Sequence, residues 1–231
     1  MSVLIVAPTR RESRGVGQEC IALGAPDTAV DSLESAIAER KPGTIIITGL
    51  CGGLDPSLKK GTLVFARQVE GVGTESTLSP EKMLFESGRR ALRSAGLSFV
   101  TSKLVTQQNV VVTTTEKLAL WNKYGAAGVD METLSLVQVA EKANIRWLVL
   151  RAVIDTASVT LPKDLANWEN EETEWKTKFK ILTSPLEWGK YLRLARALQL
   201  SMRSLRKGVP ILQKVAEDTI SLDMDIVAKS T

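Results

Sequence analysis

Short apolar runs alternate with amphipathic stretches along most of the chain. Residues 3–7 (VLIVA), 44–48 (TIIIT), 63–66 (LVFA) and 147–154 (WLVLRAVI) are apolar, rich in β-branched side chains and bounded by turn residues, which predicts buried strands. Residues 99–106 alternate like a half-buried strand, and Val129 closes a further one. Between them, residues 31–40 predict a helix with Leu33, Ala36 and Ile37 on one face. Residues 80–95 predict another, with Pro80 near its first turn and Gly96 past its end. Residues 116–124, capped by Thr115, and residues 133–143 complete the set. Thr9 to Ser13 is expected to be a polar turn, and residues 71–79 a mobile loop. Strands alternating with helices predict an α/β protein, a three-layer αβα domain.

After residue 160 the pattern changes. Residues 162–180 are polar and charged, with Trp168 and Trp175, and a helix is expected over 187–209. Tyr191, Leu194, Leu198, Met202, Leu205 and Val209 form one stripe of it, and Arg193, Arg196, Arg203, Arg206 and Lys207 lie on the other side. Such a basic amphipathic helix either docks on the core with a solvated basic face or is drawn to anionic headgroups, where each Lys or Arg adds about 1 kcal/mol. The last twenty or so residues form a further short helix or fray. The expected division is a catalytic core over 1–160 and a helical extension over 161–231.

Composition mainly excludes. The chain has 231 residues, enough for one substantial core. It contains no histidine, which removes a Ser-His-Asp triad, a Cys-His pair and His-ligated zinc. Acid–base work falls to Asp, Glu, Lys, Tyr or Cys. Cys20 and Cys51 have no metal-ligand spacing, so no metal site is expected, and a reducing cytoplasm fits them. The net charge of +4 is too mild to imply nucleic acid. Neither a secretory leader nor a spanning helix is expected.

The candidate chemistry lies at strand ends. Glu132, in Val129-Asp130-Met131-Glu132, and Asp155, ending the strand from Trp147, are expected at neighbouring strand exits, the edge where open α/β sheets bind ligands. Glu12, after the first strand, falls on the same edge or serves as a helix N-terminal acid. The glycines of Gly49-Leu50-Cys51-Gly52-Gly53 either let backbone approach a ligand or make a tight turn.

Three segments together carry a resemblance. Residues 48–64 (TGLCGGLDPSLKKGTLV) are similar to the glycine-rich segment of the purine nucleoside phosphorylase / methylthioadenosine–adenosylhomocysteine nucleosidase superfamily. Val129-Asp130-Met131-Glu132 resembles its ribose-binding segment, and residues 150–157 (LRAVIDTA) its catalytic-aspartate segment. Within the superfamily, residues 110–117 (VVVTTTEK) and the tail from Leu182 resemble the hopanoid-biosynthesis branch, the adenosylhopane nucleosidase or phosphorylase.

The resemblance implies a mixed, twisted central sheet, a homo-oligomer, and cleavage of a purine–ribose N-glycosidic bond. By it, Asp155 is the acid that protonates the base, Glu132 holds the ribose and stabilises its positive charge, and Met131 packs on the sugar. Glu12 falls where nucleosidases activate water, and the backbone at Asn109 and Val110 faces the base. Gly49, Leu50 and Gly52 line the glycine-rich turn. Phosphorolytic members carry Ser or Thr in that turn. Leu50 cannot donate a side-chain hydrogen bond, so hydrolysis is favoured, with phosphate kept open as a co-substrate and no other cofactor expected. Arg10, Arg11 and Arg14 could bind an anion instead, or form a solvated loop. Ile154 stands where many nucleosidases have Ser.

The expected substrate is a 5′-substituted adenosine, lipid-linked if the hopanoid branch is right. The protein would then be cytoplasmic, with peripheral contact at the inner face of an anionic membrane. The alternatives are a methylthioadenosine/adenosylhomocysteine nucleosidase, a phosphate-dependent purine nucleoside phosphorylase, or a non-catalytic nucleoside-binding protein.

Overall fold

The computed structural model describes residues 2–17, 19–24, 26–161 and 188–230. The polar stretch over 162–180 and the start of the tail at Leu182 lie outside the described residues. In chain order the elements are β1 (Val3–Ala7), α1 (Arg10–Val16), β2 (Cys20–Ala22), α2 (Pro26–Arg40), β3 (Thr44–Gly53), β4 (Leu63–Gly71), β5 (Thr77–Leu78), α3 (Lys82–Ser94), β6 (Phe99–Thr106), α4 (Thr114–Tyr124), β7 (Ala126–Asp130), α5 (Thr133–Lys142), β8 (Arg146–Asp155) and α6 (Trp188–Ser230).

The central strands are apolar on both faces because both faces are covered. Leu4 and Val6 of β1, Ile45 and Ile47 of β3, and Trp147 and Val149 of β8 pack with Leu33 of α2 and Leu136 and Val137 of α5. The alternate residues Ile5, Ile46, Leu148 and Leu150 pack with Leu84 and Leu92 of α3 and Met202, Leu205, Val209 and Leu212 of α6. That period of two puts one helical layer on each side of the sheet, the three-layer arrangement that the pattern predicts.

The sheet is mixed and bends back on itself. β3 runs parallel to β1 and β8, while its last residues pair antiparallel with β7. β8 pairs antiparallel with β4, β4 parallel with β6, and β6 parallel with β7. The strands β3, β8, β4, β6 and β7 therefore close a ring. In consequence β7 and β8 are not adjacent. Their C-terminal ends reach β3 from opposite directions, at Gly52–Gly53 and at Gly52. The expectation of neighbouring exits on one open edge is corrected accordingly: the glycine-rich end of β3 stands between the two.

Local chemistry shifts several boundaries. The helix over 114–124 is capped by Thr113, not Thr115. Thr113 accepts from the Glu116 backbone N–H at 3.2 Å and donates its own N–H to the Glu116 carboxylate at 3.0 Å. Only the first of three successive threonines has the three-residue spacing of that reciprocal cap. Thr9 and Glu12 make the same box, so the expected polar turn is the short helix α1. The loop over 71–79 contains β5, paired with β4.

The C-terminal helix runs on to Ser230, with Pro210 inside it, rather than ending near Val209. Ala197, Met202, Leu205, Val209, Leu212, Ala216 and Ile220 are buried along it, while Arg193, Arg196, Arg203, Arg206 and Lys207 are exposed. No helix among the described residues is long and apolar enough to cross a membrane.

Candidate functional site

The C-terminal half of β3 collects the acidic residues. The Gly49 φ of 145° and its missing side chain both matter. A Cβ there would stand 2.3 Å from Arg151 Nη1 and 2.8 Å from Glu12 Oε1. Glu12, buried on α1, spends Oε2 on its own cap, accepting from the Thr9 hydroxyl at 2.7 Å. Oε1 accepts from the Leu50 backbone N–H at 2.8 Å. Glu12 thus caps its helix through Oε2 and reaches the glycine-rich end of β3 through Oε1.

Arg151 lies wholly buried in β8. Nη2 donates to the Thr133 hydroxyl at 2.6 Å and lies 2.8 Å from Asp130 Oδ2, while Nη1 donates to the Thr48 carbonyl at 3.2 Å. Asp130 also accepts from the Thr106 hydroxyl at 2.8 Å and from the Thr133 hydroxyl. Burial opposes the Arg151 charge, yet Asp130, Glu132 and Glu12 outweigh it and hold the guanidinium above its usual pKa.

Glu132 precedes α5 but makes no capping bond with its side chain. Its carboxyl is therefore not spent on the helix. Burial first, then Asp130, pushes it up to about 8, against the pull of Arg151 and with Glu12 adding to the rise. Met131 beside it is half-buried.

Asp155 is 3% exposed and sits where a bulge shifts the β3–β8 register between Cys51 and Gly52. The residue skipped on β8 is Ile154, and the offset sets Asp155 opposite Gly52. A Cβ on Gly52 would meet Asp155 Oδ1 at 3.5 Å and Val129 Cγ1 at 3.3 Å. Asp155 Oδ2 is ion-paired with Lys117 Nζ of α4, which is wholly buried. Burial raises the Asp155 pKa, and Lys117 and Lys60 pull against it. We assign the net direction to burial, because the pair sits away from water where desolvation is costly.

The site thus brings together Glu12, Gly49, Leu50, Gly52, Glu132 and Asp155. Asn109 is exposed and Val110 half-buried, in the loop after β6. The Gln107 backbone N–H donates to the Asp130 carbonyl at 3.0 Å, tying that loop to the end of β7. Arg10, Arg11 and Arg14 are all exposed on α1. No cluster of three metal-ligating side chains occurs among the described residues.

Three charged residues went unnoticed in the sequence. Arg151 carried a signal, a lone charge inside WLVLRAVID. Asp130 stood beside Glu132 and was masked by it. Lys117 carried none, since a lysine in a capped helix reads as solvated.

The family model described as the phosphorylase superfamily matches residues 12–185. The chain belongs to the phosphorylase superfamily. It is an enzyme of that superfamily, and its fold is shared with solved nucleosidase structures. The 5′-methylthioadenosine/S-adenosylhomocysteine nucleosidase of Campylobacter jejuni superposes with a TM-score of 0.68 at 12% identity, over 94% of this chain and 99% of that one. The Neisseria meningitidis enzyme of the same name, in complex with methylthio-immucillin-A, gives 0.70 at 15% identity over 91% and 97%. Futalosine hydrolase of Helicobacter pylori gives 0.70 at 15% over 92% and 97%. Within the phosphorylase superfamily, such identities speak for the fold.

Proposed function

We propose that this phosphorylase-superfamily enzyme hydrolyses the purine–ribose N-glycosidic bond of a 5′-substituted adenosine and releases adenine. One observation carries the choice of water as nucleophile. Glu12 Oε1 occupies the Leu50 backbone N–H at 2.8 Å. That N–H, at the glycine-rich end of β3, is a donor an attacking phosphate would want, and a carboxylate already holds it. A phosphate there would also face the Glu12 carboxylate as a like charge.

In this reading Asp155 gives its proton to the base while the C–N electron pair leaves with adenine. The sugar gains positive charge, which the carboxyl oxygens of Glu132 face and stabilise. Met131 packs on the sugar, and the backbone at Asn109 and Val110 faces the base. Water bonds to the sugar carbon, Glu12 takes its proton, and exchange with solvent returns Glu12 to the carboxylate and Asp155 to the acid. Arg151 fixes Asp130 and faces Glu12 across Gly49, holding the water side of the site in shape.

We further propose a large hydrocarbon at the 5′ position, as in adenosylhopane, and a cytoplasmic homo-oligomer that touches anionic membrane. The exposed Arg193, Arg196, Arg203 and Lys207, on the outer side of a helix whose other side is core, support the contact. Adenine release from adenosine, methylthioadenosine and a 5′-alkyl adenosine, each with and without phosphate, tests the reading. Phosphate-independent release favouring the alkyl chain is expected. Release only with phosphate would overturn the assignment of Glu12, and no release from any would overturn the choice of a 5′-substituted adenosine as substrate. Arg193→Glu with Arg196→Glu and Arg203→Glu should abolish sedimentation with anionic vesicles, and unchanged sedimentation removes the membrane role.

A further inference from the structure

Lys117 and Asp155 form the only ion pair among the described residues in which a wholly buried lysine is the cation. An ammonium has three N–H donors. Lys117 Nζ spends one on Asp155 Oδ2, one on the Thr156 carbonyl at 3.1 Å and one on the Val159 carbonyl at 2.7 Å. All three acceptors belong to β8 or the loop that follows it. The same loop is tied to the segment before α4, where the Leu161 N–H donates to the Val112 carbonyl at 2.9 Å. Even a matched lysine in an α/β core stabilises little, because desolvation can exceed the Coulombic gain, so this one implies a task.

We propose that Lys117 is the positioning residue of the general acid: it holds Oδ2 of Asp155, turns Oδ1 toward the Gly52 side of the site, and stabilises the carboxylate left when the proton has gone to the base. This rests on the hydrolase reading above. Two demands on Asp155 conflict. It must hold a proton before the step, and give it up readily during the step. Burial serves the first, and a fixed cation beside the oxygen not facing substrate serves the second. The other charged or titratable groups facing Asp155 are Lys60, from the turn between β3 and β4, and Cys51 of β3. Lys60 is half-buried and pulls on Asp155 less than Lys117 does, and the Cys51 thiol is pushed up by its burial, so Lys117 is the close, fixed charge.

The test is a leaving-group comparison. A riboside carrying 4-nitrophenolate in place of adenine needs no proton to depart, so its cleavage should depend on Lys117 far less. Lys117→Met should lower kcat for adenine release about 100-fold, the size of a general-acid contribution. The loss on the nitrophenyl riboside should be at least about ten times smaller by the same reasoning. With the cation gone, the Asp155 acid weakens, so the alkaline limb of kcat against pH should move up by about one unit or more. Equal losses on both substrates, or an unmoved alkaline limb, would overturn the proposal while leaving the hydrolase reading intact. Absence of adenine release from the unaltered enzyme would remove the reading itself. Should Lys117→Met fail to fold, Lys117→Arg carries the same comparison. It keeps the charge but cannot place three donors of one nitrogen on these acceptors, so adenine release should again suffer more than nitrophenolate release.

Discussion

Arg151 Nη2 lies 2.8 Å from Asp130 Oδ2, with the two side chains 0% and 3% exposed. The pair crosses from β8 to β7 and lies beneath the acidic residues. Removing one member leaves the other as an uncompensated buried charge, at a cost of about 3–5 kcal/mol. Asp130→Asn and Arg151→Met should each lower stability by about that much, and the double variant by clearly less than the two losses together. Urea unfolding of all three variants against the parent is the measurement. Additive losses would mean the two charges are solvated independently.

Gly49→Ala should damage both fold and activity. Its φ of 145° disfavours any side chain, and a Cβ would stand 2.3 Å from Arg151 Nη1 and 2.8 Å from Glu12 Oε1. The backbone strain alone costs about 1–3 kcal/mol. Glu12 would also lose its hold on the Leu50 N–H. A variant with parental melting temperature and turnover would show that the end of β3 yields freely around Gly49.

Asp155→Asn retains the size of the side chain and removes the acid. Adenine release should fall about 100- to 10,000-fold, the span of general-acid contributions, while the Kd for a nucleoside analogue measured by calorimetry stays within a few-fold. Asparagine also strips Lys117 of its counter-charge, so the folded fraction needs checking by circular dichroism in the same samples.

Glu132 gives a pH signature with a definite sign. Its carboxyl is pushed up to about 8 in the folded protein, chiefly by burial and by Asp130, against about 4.3 in an unfolded chain. Between those values the folded state keeps a proton that the unfolded chain releases, so this group erodes stability as pH rises through the window. Glu132→Gln removes the effect. Its stability relative to the parent should grow from pH 5 to pH 8 and then level off. A difference that is flat with pH would mean Glu132 is ionised in the folded protein throughout.

Much of the fold was legible because most strands are long and apolar. β1 and β8 need buried surroundings on both faces, and nothing but a covered sheet provides them. The short elements were not legible. β2, at Cys20–Ala22, is three residues long and too brief to carry a period. The helix of Arg10–Val16 hides behind three arginines and a glycine, and only the Thr9–Glu12 spacing betrays it. At the site, Glu12, Glu132 and Asp155 could be named from sequence because acids at strand ends stand out. Ring closure through β3 and β7 could not, since it depends on which strand meets which. Lys117 depends on that closure too: a lysine on a helix is buried only if the chain brings a carboxylate and two carbonyls to it.

Ring closure also sets a schedule for the growing polypeptide. β3 has its longest register with β8, Thr44 to Gly52 against Arg146 to Asp155, about a hundred residues later in the chain. α6, which seals the other face, comes later still. During translation Glu12 and the glycine-rich end of β3 emerge early and wait, without Arg151 or Lys117's carboxylate partner, until the last strand leaves the ribosome tunnel. Contacts so distant in sequence form slowly, and a waiting β3 has an open edge that invites other chains. A prematurely terminated product lacking β8 would therefore be an aggregation hazard and would lack both Arg151 and Asp155.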